Sequence, residues 1–125
     1  MIDVKIVLWL LIIHWIADFI LQTDWMAINK SKNILALLAH IGIYSIAMWL
    51  GFALWYEFPH DITYRAFAFI GLTAVFHFVT DAITSVVTSY LWQKEERHRF
   101  FVVVGFDQFL HYIQLILTYK WMWKC

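Results

Sequence analysis

Four long apolar stretches dominate this 125-residue chain, running roughly over 4–21, 34–55, 66–92 and 101–119. A helix needs about 20 mainly apolar residues to cross the hydrocarbon core of a bilayer, and each stretch is close to that length. The linkers between them, "QTDWMAINKSKN", "YEFPHDITYR" and "QKEERHR", hold most of the charge, and the only proline, Pro59, falls in the second. With 63% hydrophobic and 14% charged residues, a water-soluble domain could not hide the apolar surface. The expected fold is therefore all-α: one domain over 1–125, an integral membrane four-helix bundle running up-down-up-down. Both termini then share one side, and the first and third linkers share the other.

Several features are set aside or only orient the chain. The first stretch resembles a signal peptide, but His14 and Asp18 interrupt it and no small-residue cleavage site follows, so it reads as a retained span. Lys30, Lys32, Lys94, Arg97 and Arg99 on the linker side face Lys5, Arg65, Lys120 and Lys124 on the other. That excess leans the first and third linkers towards the cytoplasm. Eight Trp, eleven Phe and the tail "YKWMWKC" suit a lipid environment with an interfacial anchor. The zero net charge argues against nucleic acid as a partner. Cys125 is the single cysteine, so no disulfide framework exists. The sequon Asn29-Lys30-Ser31 is discounted as a chance triplet. His60 and Asp61 read as turn and helix-start residues, and His98 as a solvated one.

Within the spans the polar residues are not scattered. His14 and Asp18, His77 and Asp81, and Asp107 and His111 are each four apart, hence neighbours on one helix face. The order is His then Asp on the first and third spans and Asp then His on the fourth, which runs the other way. All three helices thus place Asp nearer the linker side and His deeper. His40 on the second span reaches a similar level, and Tyr44 lies one turn beyond it. Four helices aim seven ionisable groups at one layer.

Such groups cost several kcal/mol each in a membrane core unless compensated, and by default they mark function. No Lys or Arg lies well inside any span. Compensation must come from protons, charged histidines or cations. Two divalent ions with three carboxylates and four neutral imidazoles would leave about one positive charge, which a hydroxide could cancel. Imidazole with carboxylate suits zinc, manganese or ferrous iron. The competing reading is hydrogen-bonding glue between helices, which suits any single His or Asp better than it suits the set of seven. The Thr and Gln stripes (Thr73, Thr80, Thr84 and Thr88; Gln108, Gln114 and Thr118) read as packing and hydrogen bonding.

The segments "HWIADFILQTDWMAINK", "LLAHIGIY" and "FFVVVGFDQFLHY" resemble DUF3307, a family of small bacterial and phage membrane proteins of unknown function. The likeness covers nearly the whole chain, most tellingly at His14, Asp18, Gln22, Lys30, His40, Asp107, Gln108 and His111. It implies a multi-pass protein of the bacterial inner membrane. More loosely, the chain is similar to predicted membrane-bound metal-dependent hydrolases, by analogy of residue types and topology.

The leading expectation is a membrane-embedded metallohydrolase acting on an amphiphilic or lipid-linked substrate. His14, Asp18, His40, His77, Asp81, Asp107 and His111 would be ligands or would hold the ligands' outer nitrogens. One of Asp18, Asp81 and Asp107 would be a general base. Gln22, Lys30 and Gln108 are the candidate substrate-binding residues. Lys30, Lys32, Arg97 and Arg99 could attract a phosphate, while Gln22 and Asn29, beside Trp25 and Met26, could line a lid. Three other readings stay open: a b-type cytochrome with axial histidines, a proton or metal-ion conduit enlarged by a homo-oligomer, and a non-catalytic accessory membrane protein.

Overall fold

The computed structural model describes residues 3–55 and 63–123, and all regular structure among them is helical. Helix α1 (Val4–Trp15) runs directly into a π-helical turn, Ile16–Ile20. A short α2 (Asp24–Asn29) occupies the first linker, followed by α3 (Ile34–Leu54), α4 (Thr63–Gln93) and α5 (Arg97–Trp123). Three helical stretches, Ile34–Leu54, Tyr64–Gln93 and Arg97–Trp123, are long and apolar enough to cross a membrane. The first apolar run differs from the uniform helix expected over 4–21. After Trp15 its backbone bonding widens, and the Leu21 N–H donates to the Ile16 carbonyl five residues back, at 2.9 Å. Pro59, His60 and Asp61 lie outside the described residues.

Local chemistry explains the helix ends. Asp3, Thr23 and Asn33 each accept a backbone N–H from the first turn they precede, those of Lys5, Met26 and Leu35. The reversal from α4 to α5 takes three residues. Glu95 adopts φ 59°, the Glu96 N–H donates to the Leu91 carbonyl, and the Glu95 N–H donates to that of Trp92. This is the Schellman arrangement, built here on a residue with a side chain rather than on glycine.

Helix α1 packs on α3, α3 on α4, α4 on α5, and α5 returns to α1. Each pair is antiparallel. The Trp9 indole N–H donates to the Gly51 carbonyl at 3.0 Å, while two turns on Asp18 meets His40. Phe52 meets Phe69 while His40 meets Asp81, and Phe69 meets Trp123 while Thr84 meets Asp107.

These pairings sort the interior into layers. Leu10, Ile13, Met48, Phe52, Phe69, Ile70, Leu115 and Tyr119 belong to a closed apolar core towards the start of α1 and the end of α5. The His/Asp layer follows, one to two turns away along each helix. Outward faces stay apolar: Leu8, Ile46, Val79, Val86, Phe109 and Leu117 are all about half exposed or more. Apolar surface on this scale needs lipid or protein against it.

The approach of α1 to α3 depends on Gly51, where an added methyl group would run into the Ile13 side chain. Gly51→Ala should lower stability by about 1–3 kcal/mol, as overpacking does, and shift thermal unfolding in detergent downwards. An unchanged transition would mean that α1 is not seated there.

Candidate metal centre

All seven ionisable residues singled out by spacing are brought together. His14, Asp18, His40, His77, Asp81, Asp107 and His111 are each buried, none more than 9% exposed. They form three overlapping groups suited to an ion: His14, Asp18 and His77; His40, His77 and Asp81; and Asp18, Asp107 and His111. The π-helical turn presents Asp18 at the middle of the layer, in contact with histidines from α1, α3 and α4.

The tightest grouping has four atoms from α3, α4 and the π-turn. His40 Nε2 lies 3.0 Å from His77 Nε2. Asp18 Oδ1 is 3.2 Å from the first and 3.0 Å from the second. Asp81 Oδ2 is 3.2 Å from His40 Nε2 and 3.8 Å from His77 Nε2. Zinc–nitrogen and zinc–oxygen bonds of about 2.0–2.1 Å in a tetrahedron would set neighbouring ligand atoms about 3.3 Å apart. The five separations cluster around that edge length.

Protons alone account poorly for this cluster. Each ring, neutral or charged, brings at most one Nε2 proton, and an ionised carboxylate brings none. Asp18 Oδ1 sits between both rings yet makes no hydrogen bond of good geometry among the described residues, and Asp81 Oδ1 is likewise buried without one there. Buried acceptors left unmatched are costly, and a cation among them removes the conflict. The residues present therefore fit an ion.

The remaining histidines are oriented by their neighbours. His111 Nδ1 lies 2.9 Å from the Asp107 carbonyl, which can only accept, so this nitrogen carries the proton. The lone pair of the neutral ring is then at Nε2, which is buried, without a hydrogen-bond partner, and 3.5 Å from Asp81 Oδ1. His14 Nε2 donates instead to Gln108 Oε1 at 3.2 Å. The Gln108 amide nitrogen donates to Asp18 Oδ2 at 2.9 Å and Asp107 Oδ2 at 3.1 Å. The Thr84 hydroxyl donates to Asp107 Oδ1 at 2.6 Å.

Holding of the outer ring nitrogens by aspartate, as expected from metal chemistry, is not what the structure has at three histidines. Nδ1 of His14, His40 and His77 has no hydrogen-bond partner among the described residues. The aspartates lie on the Nε2 side, where the helices face one another. The His77 ring is fixed by stacking on Tyr44, with centroids 4.2 Å apart and planes at 23°.

One expectation is overturned outright. The acids do have a basic neighbour: Lys30, from the first linker, places Nζ 2.7 Å from Asp81 Oδ2. No lysine sits well inside a span, but this one reaches in from the end of α2. Lys30 is thus engaged by the centre itself. Gln108, another candidate substrate-binding residue, spans the carboxylates and His14. The other linker-side cations separate clearly. Arg97 lies 3.7 Å over the Trp92 ring and donates to its carbonyl, and Arg99 pairs with Glu96 at 2.8 Å.

On the linker side of the layer a cleft of about 760 Å³ opens, with Asp18, Asp107 and Gln108 at its floor. Gln22, the third substrate-binding candidate, lines it, as do Lys30 and Lys32. The cleft exists because the backbone of α5 comes close to α1 but not to the π-turn or α2, and the Gln108 side chain bridges the gap to Asp18. Asn29 turns back to the Trp25 carbonyl instead of facing it, and His98 is exposed, as a solvated residue should be.

The DUF3307 family profile, described as a protein of unknown function, matches residues 6–125. The chain belongs to this family. No curated protein and no solved structure matches it. In this DUF3307 chain the seven His and Asp residues form one continuous buried cluster, in which a metal ion could be held. Thr84, read with its stripe as packing and hydrogen bonding, donates to Asp107, a partner the sequence did not name. The only sequence signal for it was its place one turn after Thr80 on the polar stripe.

Proposed function

We propose that this chain is a bacterial inner-membrane protein, a four-span up-down-up-down bundle, in which a divalent transition metal serves hydrolysis of an amphiphilic or lipid-linked substrate. The observation carrying the proposal is the convergence of one oxygen each of Asp18 and Asp81 on His40 Nε2 and His77 Nε2, at 3.0–3.8 Å, with the two nitrogens 3.0 Å apart. The closed ring of antiparallel helix contacts and the apolar outer faces support the bundle.

Charge sets the number of ions. Asp18, Asp81 and Asp107 bring three negative charges and Lys30 one positive, so one divalent ion leaves the centre neutral with its imidazoles uncharged. Lys30 thereby favours one ion over the two that the sequence left open. Nitrogen and oxygen donors suit zinc, manganese or ferrous iron.

His40, His77, Asp18 and Asp81 would hold the ion, with His111 Nε2 beside them. Such an ion supplies Lewis-acid polarisation of the bond under attack and activation of water. Asp107 suits the role of general base: it lies at the cleft floor, and Thr84 and Gln108 fix its carboxylate. Gln108 positions both Asp107 and Asp18 from one amide.

Packing favours this reading over two others. The His77 and His111 rings are 4.2 Å apart and the His40 and His77 rings 5.1 Å, which leaves no slot for a macrocycle between them. A conduit needs a second opening, yet Leu10, Met48, Phe69 and Leu115, all nearly fully buried, close the far side of the layer.

The test is turnover of a panel of phospholipids and lipid-linked phosphates by metal-loaded protein in detergent. Turnover should vanish on chelation and return with one equivalent of metal. Asp107→Asn should retain metal yet lose about 100-fold or more in rate, as loss of a general base does. Turnover indifferent to chelation, or absent across the panel, would sink the hydrolase reading.

A further inference from the structure

We infer that the cleft between α2, α4 and α5 is a binding site for the phosphate headgroup of an amphiphile. This deepens the hydrolase reading by naming its substrate class, and it rests on the membrane placement proposed there.

One turn above the His/Asp layer, Ser85 is 6% exposed, lines the cleft, and its hydroxyl has no hydrogen-bond partner among the described residues. Gln22 also lines the cleft, with its side-chain oxygen buried and unmatched. A buried hydroxyl loses stability unless something bonds to it, so the wall is built for a polar ligand. Neighbouring hydroxyls do not substitute for Ser85: Thr84 and Thr88 already donate, to Asp107 and to the Ser85 carbonyl.

Charge gives that ligand its sign. Of the four linker-side cations that could attract a phosphate, Lys30 is paired with Asp81, Arg97 with Trp92 and Arg99 with Glu96. Among the described residues, Lys32 alone of the four has no ion pair or ring partner, and it lines the cleft. An ammonium and a free hydroxyl donor lining one cleft together suit an anion with several acceptor oxygens, which a phosphate monoester provides. A bound metal at the floor would reinforce that preference against the nearby carboxylates.

The walls show why the phosphate belongs to an amphiphile. Phe19, Ile28 and Phe101 line the same cleft and are each about half exposed or more. They continue the apolar outer faces. A chain lying along these residues would remove their surface from water while the headgroup sits at Ser85 and Lys32.

Calorimetric titration of the metal-loaded protein in maltoside micelles decides the matter, with dodecyl phosphate, dodecanol and inorganic phosphate as probes. Dodecyl phosphate should bind saturably and at least about tenfold more tightly than either of the others. Ser85→Ala should weaken it about tenfold and Lys32→Gln several-fold, with metal content unchanged in both. Equal binding of dodecanol, equal binding of inorganic phosphate, or full binding by both variants would each overturn the inference. Metal uptake without dodecyl phosphate binding would remove the cleft assignment and leave the centre intact. Dodecyl phosphate binding that depends on Ser85 and Lys32, without metal uptake, would do the reverse.

Discussion

His77→Ala should bring the metal content of the purified protein to near zero, and Asp18→Ala should do the same. Both residues are central by contact. His77 Nε2 lies within 3.8 Å of His40, Asp18 and Asp81, and Asp18 touches His14, His40 and His77. Loss of a partner outside the ligand set costs about 10–100-fold in metal affinity, so removal of a ligand should cost more than about 100-fold. Equilibrium dialysis against zinc or cobalt(II) gives the affinity directly. Tyr44→Phe is the control, because it keeps the ring that stacks on His77 and should keep the metal. If the cluster only glued helices together, His77→Ala would lower the melting temperature but leave metal content where the wild type has it.

Lys30→Met should produce the second large effect, and in the opposite sense with respect to metal. Lys30 is about four-fifths buried and its ammonium pairs with the buried Asp81. Breaking a buried pair by removing one partner costs about 3–5 kcal/mol, because the other charge stays behind uncompensated. The metal-free variant should therefore unfold at a clearly lower temperature than metal-free wild type. Adding a divalent ion should recover much of that loss, since the ion meets a centre with one more unmatched negative charge and stabilises the folded state by linkage. The rescue separates the two variants: Lys30→Met responds to metal and His77→Ala does not. A Lys30→Met protein whose unfolding ignores added metal would show that the lysine, not an ion, is the counter-charge this layer uses.

The centre was legible in the sequence because helices impose a period. His14 with Asp18 and His77 with Asp81 share faces by spacing alone, and the reversed order of Asp107 and His111 matched the reversed direction of its helix. Burial then followed from the surrounding apolar residues. Lys30 was not legible as a partner of Asp81. The two are 51 residues apart, and the reach of a long side chain from a linker leaves no periodic trace. The π-turn at Ile16–Ile20 was equally hidden, since an apolar run reads the same whether its carbonyls bond four or five residues ahead. Gln108 could be nominated but not placed; its clamp on Asp18 and Asp107 depends on how closely α5 approaches α1. The cleft depends on where the backbones of α5 and the π-turn stand apart, which is a property of tertiary packing and not of any local pattern.

The most direct measurement is X-ray absorption, together with elemental analysis, on wild-type protein purified in detergent without chelator. About one zinc, manganese or iron per chain is expected, with a shell of roughly four nitrogen and oxygen neighbours near 2.0 Å and outer scattering from two imidazoles. Protein that carries no transition metal and takes none up, or whose metal shows no imidazole scattering, would contradict an ion held between His40, His77, Asp18 and Asp81.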